Sequence, residues 1–164
     1  MAVSPKVAVQ TRADLAEFRR WLRSGRRKGY HYAALLGFRT YELNDLHERV
    51  QQGFSYSTLF RFQRNTHLSA SALSELCQIP TRTLSRRRAQ GKLNPEESDR
   101  VLRASWIFGR ALELFEGDDE AAHQWLSSAQ RALGGRVPLE LAKTDVGAKE
   151  VEKLIGRLEH GLPT

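Results

Sequence analysis

The sequence predicts an all-α fold, with a helix-turn-helix region ahead of a small helical C-terminal domain. Three observations predict it. Apolar residues recur at three- and four-residue spacing, and no stretch of useful length alternates as a strand would. Residues Ala70 to Ala89 have the form of a helix, a tight turn and a second helix. Asn94-Pro95-Glu96-Glu97 is a strong helix start: a cap, a proline in the first turn and two acids that the helix dipole favours.

Residues 1–10 carry little signal and are expected to form a mobile terminus. Thr11 can cap a helix running to about Leu22, with Leu15, Phe18 and Leu22 on one face. In Ser24-Gly25-Arg26-Arg27-Lys28-Gly29 two glycines bracket three cations, as in a loop that is solvated or touches phosphates. Tyr30 to Phe38 reads as a strand-like arm or a short helix. From Thr40 to Gln52, Leu43, Leu46 and Val50 recur at helical spacing, and Gly53 can end that helix. Ser55 or Ser57 can cap the next, which carries Leu59, Phe60 and Phe62. Both helices are expected beneath the helix-turn-helix, which cannot bury its own apolar face.

Within that unit Leu73, Cys77, Ile79 and Leu84 sit where two crossing helices touch. Pro80 cannot continue the first helix, and Thr81 is the expected cap of the second. Gln78 stands where a turn glycine is usual, and Arg87 where an apolar residue is common. Arg82 and Arg86 are four apart and share a face, with Thr83 near the N-terminal end. Arginine reads guanine edges in a bidentate way, and hydroxyls suit phosphates or base edges. Arg82, Thr83 and Arg86 are therefore expected in the major groove, with Thr81 and Ser85 on the same helix. Ser69, Ser71, Arg87 and Arg88 are expected nearer the DNA backbone. The competing reading pairs some of these arginines with Glu75 or Glu96.

The helix opened by Asn94 can reach Phe115. Val101, Leu102, Ile107, Phe108, Ala111, Leu112 and Leu114 surround much of its circumference, as in a helix buried on several sides. It is expected to link the two halves or to carry a dimer contact. Gly117-Asp118-Asp119 is a turn with a ready cap for a helix from Asp119 to Gln130. Leu133 to Leu139 turns into a short helix, Pro138 to Ala142. A last helix is expected from Gly147 to Leu158, with Val151, Leu154, Ile155 and Leu158 on one face, closed by His160-Gly161.

Net charge is +7, unevenly placed: residues 1–103 hold 19 Lys/Arg against 9 Asp/Glu, and residues 104–164 hold 7 against 10. A basic half attracts phosphate backbones, and an acidic half suggests a second partner. Cys77, the lone cysteine, excludes an internal disulfide and reads as packing. No signal peptide or membrane span stands out, so the cytoplasm is the expected compartment. The five histidines lack metal-ligand spacing, and Gly134-Gly135 is no phosphate loop. Glu113 and Glu116 have no histidine or metal ligand beside them and read as solvated. An enzyme is not expected, nor a cofactor.

The C-terminal third is more specific. Trp125-Leu126, Leu133-Gly134-Gly135-Arg136-Val137-Pro138-Leu139-Glu140-Leu141, Thr144, Gly147-Ala148, Val151, Leu154-Ile155, Leu158 and His160-Gly161 follow in an order and spacing that resembles the Xre/ParS/MbcA-type antitoxins. The resemblance covers roughly residues 35–164. Two features depart from it: Ala129-Gln130 stands where Pro-Asn is expected, and Leu162-Pro163-Thr164 lacks an aromatic residue.

The resemblance implies a type II antitoxin that binds a RES-domain toxin, blocks its NAD-degrading active site and represses the shared operon. It implies an N-terminal extension (1–34), a DNA-binding region (35–93), a connecting or dimerisation helix (94–116) and a toxin-binding domain (117–164). The partners implied are that toxin, operator DNA and a second copy, because one helix-turn-helix covers only a half-site. Lys149, Glu150, Lys153 and Arg157 line the polar side of the last helix. Glu159, His160, Gly161, Leu162, Pro163 and Thr164 follow as the expected tail. The carboxylate of Thr164, or Glu159, could meet the cations of an NAD site while Leu162 and Pro163 fill it. The alternative is a stand-alone regulator whose C-terminal domain dimerises or senses a ligand.

Overall fold

The computed structural model describes residues 5–25 and 29–164, with side chains from Arg12 onward. Among the described residues the α-helices are, in order, α1 (Pro5–Arg23), α2 (Leu43–Gln52), α3 (Tyr56–Asn65), α4 (Ala70–Leu76), α5 (Thr81–Gln90), α6 (Pro95–Leu114), α7 (Asp119–Leu126), α8 (Pro138–Leu141) and α9 (Asp145–Glu159). Short 3₁₀ turns span His31–Leu36 and Arg131–Leu133. Among the described residues there is no strand, only isolated bridges joining Ser55 to Lys92 and Gln130 to Arg136.

The central element is α6. Asn94 accepts from the Glu97 amide while the Glu97 carboxylate accepts from the Asn94 amide, a reciprocal capping box. Val101, Ile107, Phe108, Ala111 and Leu112 are buried, and α6 packs against the 31–36 turn, α2, α7 and α9. Much of its apolar circumference is thus covered within the chain, while Leu102, Trp106 and Leu114 are only partly buried. Gly109 admits Tyr32: an added Cβ there would lie 2.5 Å from the Tyr32 Cβ.

The first helix starts at Pro5, six residues before the expected start at Thr11, whose side chain lies outside the described residues. So do Arg26, Arg27 and Lys28, on which the expected basic loop falls. Phe18 enters the core, and the wholly buried Asp14 accepts from Arg39, Arg61 and Asn65. These bonds tie α1 to Arg39, just beyond the 31–36 turn, and to α3. Segment 30–38 is helical rather than strand-like, with Tyr32 to Leu36 buried.

Several ends differ from expectation. Pro80, not Thr81, holds the cap position of α5, and no side chain caps that helix. The extended backbone of Pro80 (φ −53°, ψ 144°) already suits a cap, so Thr81 falls in the first turn. Helix α7 stops at Leu126 rather than Gln130, because Gln130 turns away to pair with Arg136. Helix α9 begins at Asp145, where Thr144 accepts from the Gly147 amide. Leu43 and Leu158, expected to face inward, are exposed, since nothing covers those helix ends among the described residues.

Among the described residues, three helices end on a non-glycine residue in the left-handed region: α3 at His67 (φ 57°), α4 at Gln78 (φ 51°) and α6 at Glu116 (φ 53°). That conformation crowds a Cβ, so glycine is the usual occupant.

Candidate DNA-binding and partner-binding surfaces

The recognition unit is α4, its turn and α5. Ser69 caps α4 by accepting from the Ala72 amide, and Leu73, Leu76, Cys77, Ile79 and Leu84 fill the crossing. Burial pushes the Cys77 thiol up to about 12, so this cysteine is a packing residue. The turn is a Schellman motif: Gln78 N–H donates to the Glu75 carbonyl and Ile79 N–H to that of Ser74. The Gln78 amide nitrogen then donates to the Lys143 carbonyl at 2.7 Å, reaching the loop between α8 and α9. Lys143 Nζ returns to Glu75 at 2.7 Å and also meets Glu140 at 2.6 Å. Hydrogen bonding to Lys143 holds the Glu75 carboxyl below its usual range.

On α5 the expected residues separate into two groups. Thr81, Arg82, Ser85, Arg86 and Arg88 are exposed, and Thr83 is half-buried. Among the described residues Arg82, Arg86 and Arg88 make no ion pair. Ser85 donates to the Thr81 carbonyl, and Ser71 to Glu75. Arg87 differs: its guanidinium binds Glu97 through two hydrogen bonds, to neither of the acids considered from the sequence. Glu97 is 4% exposed. Burial pushes its carboxyl up, but Arg87 and the Asn94 amide together outweigh this and hold it below the usual range. Arg87 is therefore a strut between α5 and α6 rather than a bare phosphate contact.

The second surface is built on α9. Val151, Leu154 and Ile155 are buried, and Gly147 lies against the Leu141 carbonyl so closely that a Cβ there would overlap it. Lys149, Glu150, Lys153 and Arg157 are exposed, with Lys153 and Glu150 paired at 2.7 Å. Glu159 is held by Arg110, which also binds Glu113. The helix closes in a second Schellman motif: Gly161 (φ 63°) donates to Leu158 and Leu162 to Arg157. His160, Gly161, Leu162, Pro163 and Thr164 are exposed beyond it.

The Gln78–Lys143 and Arg110–Glu159 bonds went unseen in the sequence. Gln78 in place of glycine was a signal for the first; nothing local marked the second. No helix among the described residues is long and apolar enough to cross a membrane.

Comparison with known proteins follows the same division. The profile of the Xre-like helix-turn-helix domain of antitoxins matches residues 45–104. That of the antitoxin Xre/MbcA/ParS C-terminal toxin-binding domain matches residues 110–161. An antitoxin Xre of Yersinia enterocolitica is 37% identical over 116 residues, covering 70% of this chain and 78% of that protein. One from Photorhabdus laumondii is 30% identical over 128 residues, covering 77% and 86%. A Sphingobium protein named Prs ADP-ribosylating antitoxin is 28% identical over 121 residues, covering 68% and 76%. With its recognition unit and its α9 surface both matched, the chain belongs to the Xre/MbcA/ParS antitoxin family.

Proposed function

We propose that the chain binds a RES-domain toxin, blocks its NAD-degrading active site and represses its own operon through the helix-turn-helix. One observation carries the reading: an exposed arginine face on the recognition helix and a domain of the toxin-binding family stand in one chain. The division into residues 1–34, 35–93, 94–116 and 117–164 belongs to this proposal, with α6 as the connecting or dimerisation helix.

On DNA, Arg82, Thr83 and Arg86 enter the major groove, while Ser69, Ser71, Thr81, Ser85 and Arg88 approach the backbone. Arg87 holds the helix in place. A second copy supplies the other half-site. The name of the Sphingobium relative supports a toxin with an NAD site, because ADP-ribosylation consumes NAD. It also favours a second reading, in which the toxin transfers the ADP-ribose to a protein.

Toward the toxin, Lys149, Arg157 and the tail from His160 to Thr164 form the contact. The exposed Glu150–Lys153 pair is worth little on its own and can open to meet a partner. Glu159 stays with Arg110, so the tail beyond it enters the site. Co-expression with the toxin tests this. The full chain restores growth, and deletion of residues 159–164 abolishes rescue; full toxin inhibition by the truncated chain refutes the role of the tail.

A further inference from the structure

The end of α1 lies against the domain matched as toxin-binding. Arg19 donates to the Gly117 carbonyl at 2.8 Å and pairs with Asp119 at 2.6 Å. An added Cβ on Gly117 would sit 3.0 Å from the Arg19 Cγ, so the Arg19 side chain is closely seated on the Gly117 backbone. Beside this clamp runs an open groove. Its apolar lining is Trp21 and Leu22 of α1, Leu114 of α6 and Leu158 of α9, and Arg23 and Glu116 line it as well. Leu158 is 36% exposed, and Leu162 of the tail follows at 54%.

Of the acids that line the groove, Glu113 and Glu159 are held by Arg110, which leaves Glu116. Of the three strained non-glycine helix ends, two use their side chains to hold the fold. His67 bonds Asp119, and Gln78 bonds the Lys143 carbonyl. The Glu116 carboxylate makes no ion pair or hydrogen bond among the described residues. Here an acidic side chain is kept in a conformation that glycine adopts more readily, without an internal contact to explain it. Strain of this kind is a pointer to function.

We propose that this groove is a second contact for the toxin, taking an apolar segment of it that is flanked by a basic side chain. The apolar side chains lie against Leu22, Leu114 and Leu158, and the base pairs with Glu116. The inference rests on the toxin-binding reading and extends it, because one wall is α1, which lies outside both matched regions. The occupant follows from continuity: Leu114, Glu116 and Leu158 all fall within residues 110–161, and the proposed tail contact begins directly beyond Leu158.

Toxin affinity of the full chain tests it, measured by calorimetry on Glu116→Gly and Leu158→Glu. Glu116→Gly is expected to raise Tm, because glycine relieves the left-handed backbone, and to weaken toxin binding about tenfold or more. A merely structural residue would not move stability and affinity in opposite directions. Leu158→Glu is expected to weaken binding at least as much, with operator affinity unchanged. In the wild-type complex, hydrogen exchange is expected to slow at residues 22–25 and 114–117. Wild-type affinity in both variants overturns the groove, while loss of binding on deleting residues 159–164 leaves the tail contact standing. Variants that lose self-association but bind toxin normally also overturn it, since the occupant is then a second copy. Failure of the unaltered chain to bind the toxin refutes the parent reading and this inference together.

Discussion

Arg87 and Glu97 are joined by two hydrogen bonds, of 2.7 and 3.0 Å, across the loop between the recognition helix and α6. The same Glu97 carboxylate closes the capping box with Asn94. One buried acid therefore starts α6 and fixes the angle at which α5 leaves it.

Loss of that acid is expected to cost more than loss of its cap partner. Asn94→Ala removes a cap bond, worth about 1 kcal/mol. Glu97→Ala removes the other cap bond and also strands Arg87, so its urea midpoint falls further. The native Glu97 carboxyl is held below its ordinary value of 4.5. Its contribution is therefore present above that value and is lost as pH falls through the lower, native one. Wild type is expected to lose stability on acidification more steeply than Glu97→Gln, followed by urea unfolding at neutral and acid pH. Equal acid limbs count against the role of Glu97.

Arg82→Ala and Arg86→Ala are each expected to lower specific operator affinity by about 1–3 kcal/mol, with relaxed discrimination between sites. Fluorescence anisotropy at several salt concentrations separates this from a uniform electrostatic loss. Unchanged binding in both variants rules out this face as the reader.

At the helix-turn-helix turn, opposing effects of similar size meet in Gln78. The left-handed backbone costs about 1–2 kcal/mol for a residue with a Cβ. The bond to the Lys143 carbonyl returns about 0.5–1.5 kcal/mol. Gln78→Ala keeps the cost and loses the bond, so it destabilises. Gln78→Gly loses both and comes out near neutral. Denaturant midpoints order the two variants; an alanine variant as stable as the glycine one refutes the account.

Gly147→Ala places a methyl group on the Leu141 carbonyl. Overpacking of this kind costs about 1–3 kcal/mol. The expected result is a lower Tm and weaker toxin binding, with operator binding retained at temperatures where the chain stays folded. Unaltered stability shows that the α8–α9 junction can widen.

Local signals carried most of the fold. Asn94 to Glu97 announced α6 because cap, proline and acids act within one turn, and the apolar circumference of that helix announced its burial. Thr81 was mistaken for a cap because the preceding proline already supplies the cap geometry. Leu43 and Leu158 fit the helical period but sit at helix ends that no neighbour covers. The Gln78–Lys143 bond spans 65 residues, and no spacing rule reaches that far. The candidate DNA face was legible as exposed arginines. The exception was Arg87, whose use depends on an acid ten residues later.

Helix α6 runs from Pro95 to Leu114, across the boundary between the two matched regions, 45–104 and 110–161. Anyone exchanging specificity between relatives meets this first. A chimera spliced where one profile stops and the other begins cuts through a helix whose sides belong to both halves. Workable seams lie at its ends, in the loops at 91–94 and 115–118. A transplanted toxin-binding half has to bring α6 with it, and the residues at positions 87 and 97, here the Arg87–Glu97 pair, then come from different parents.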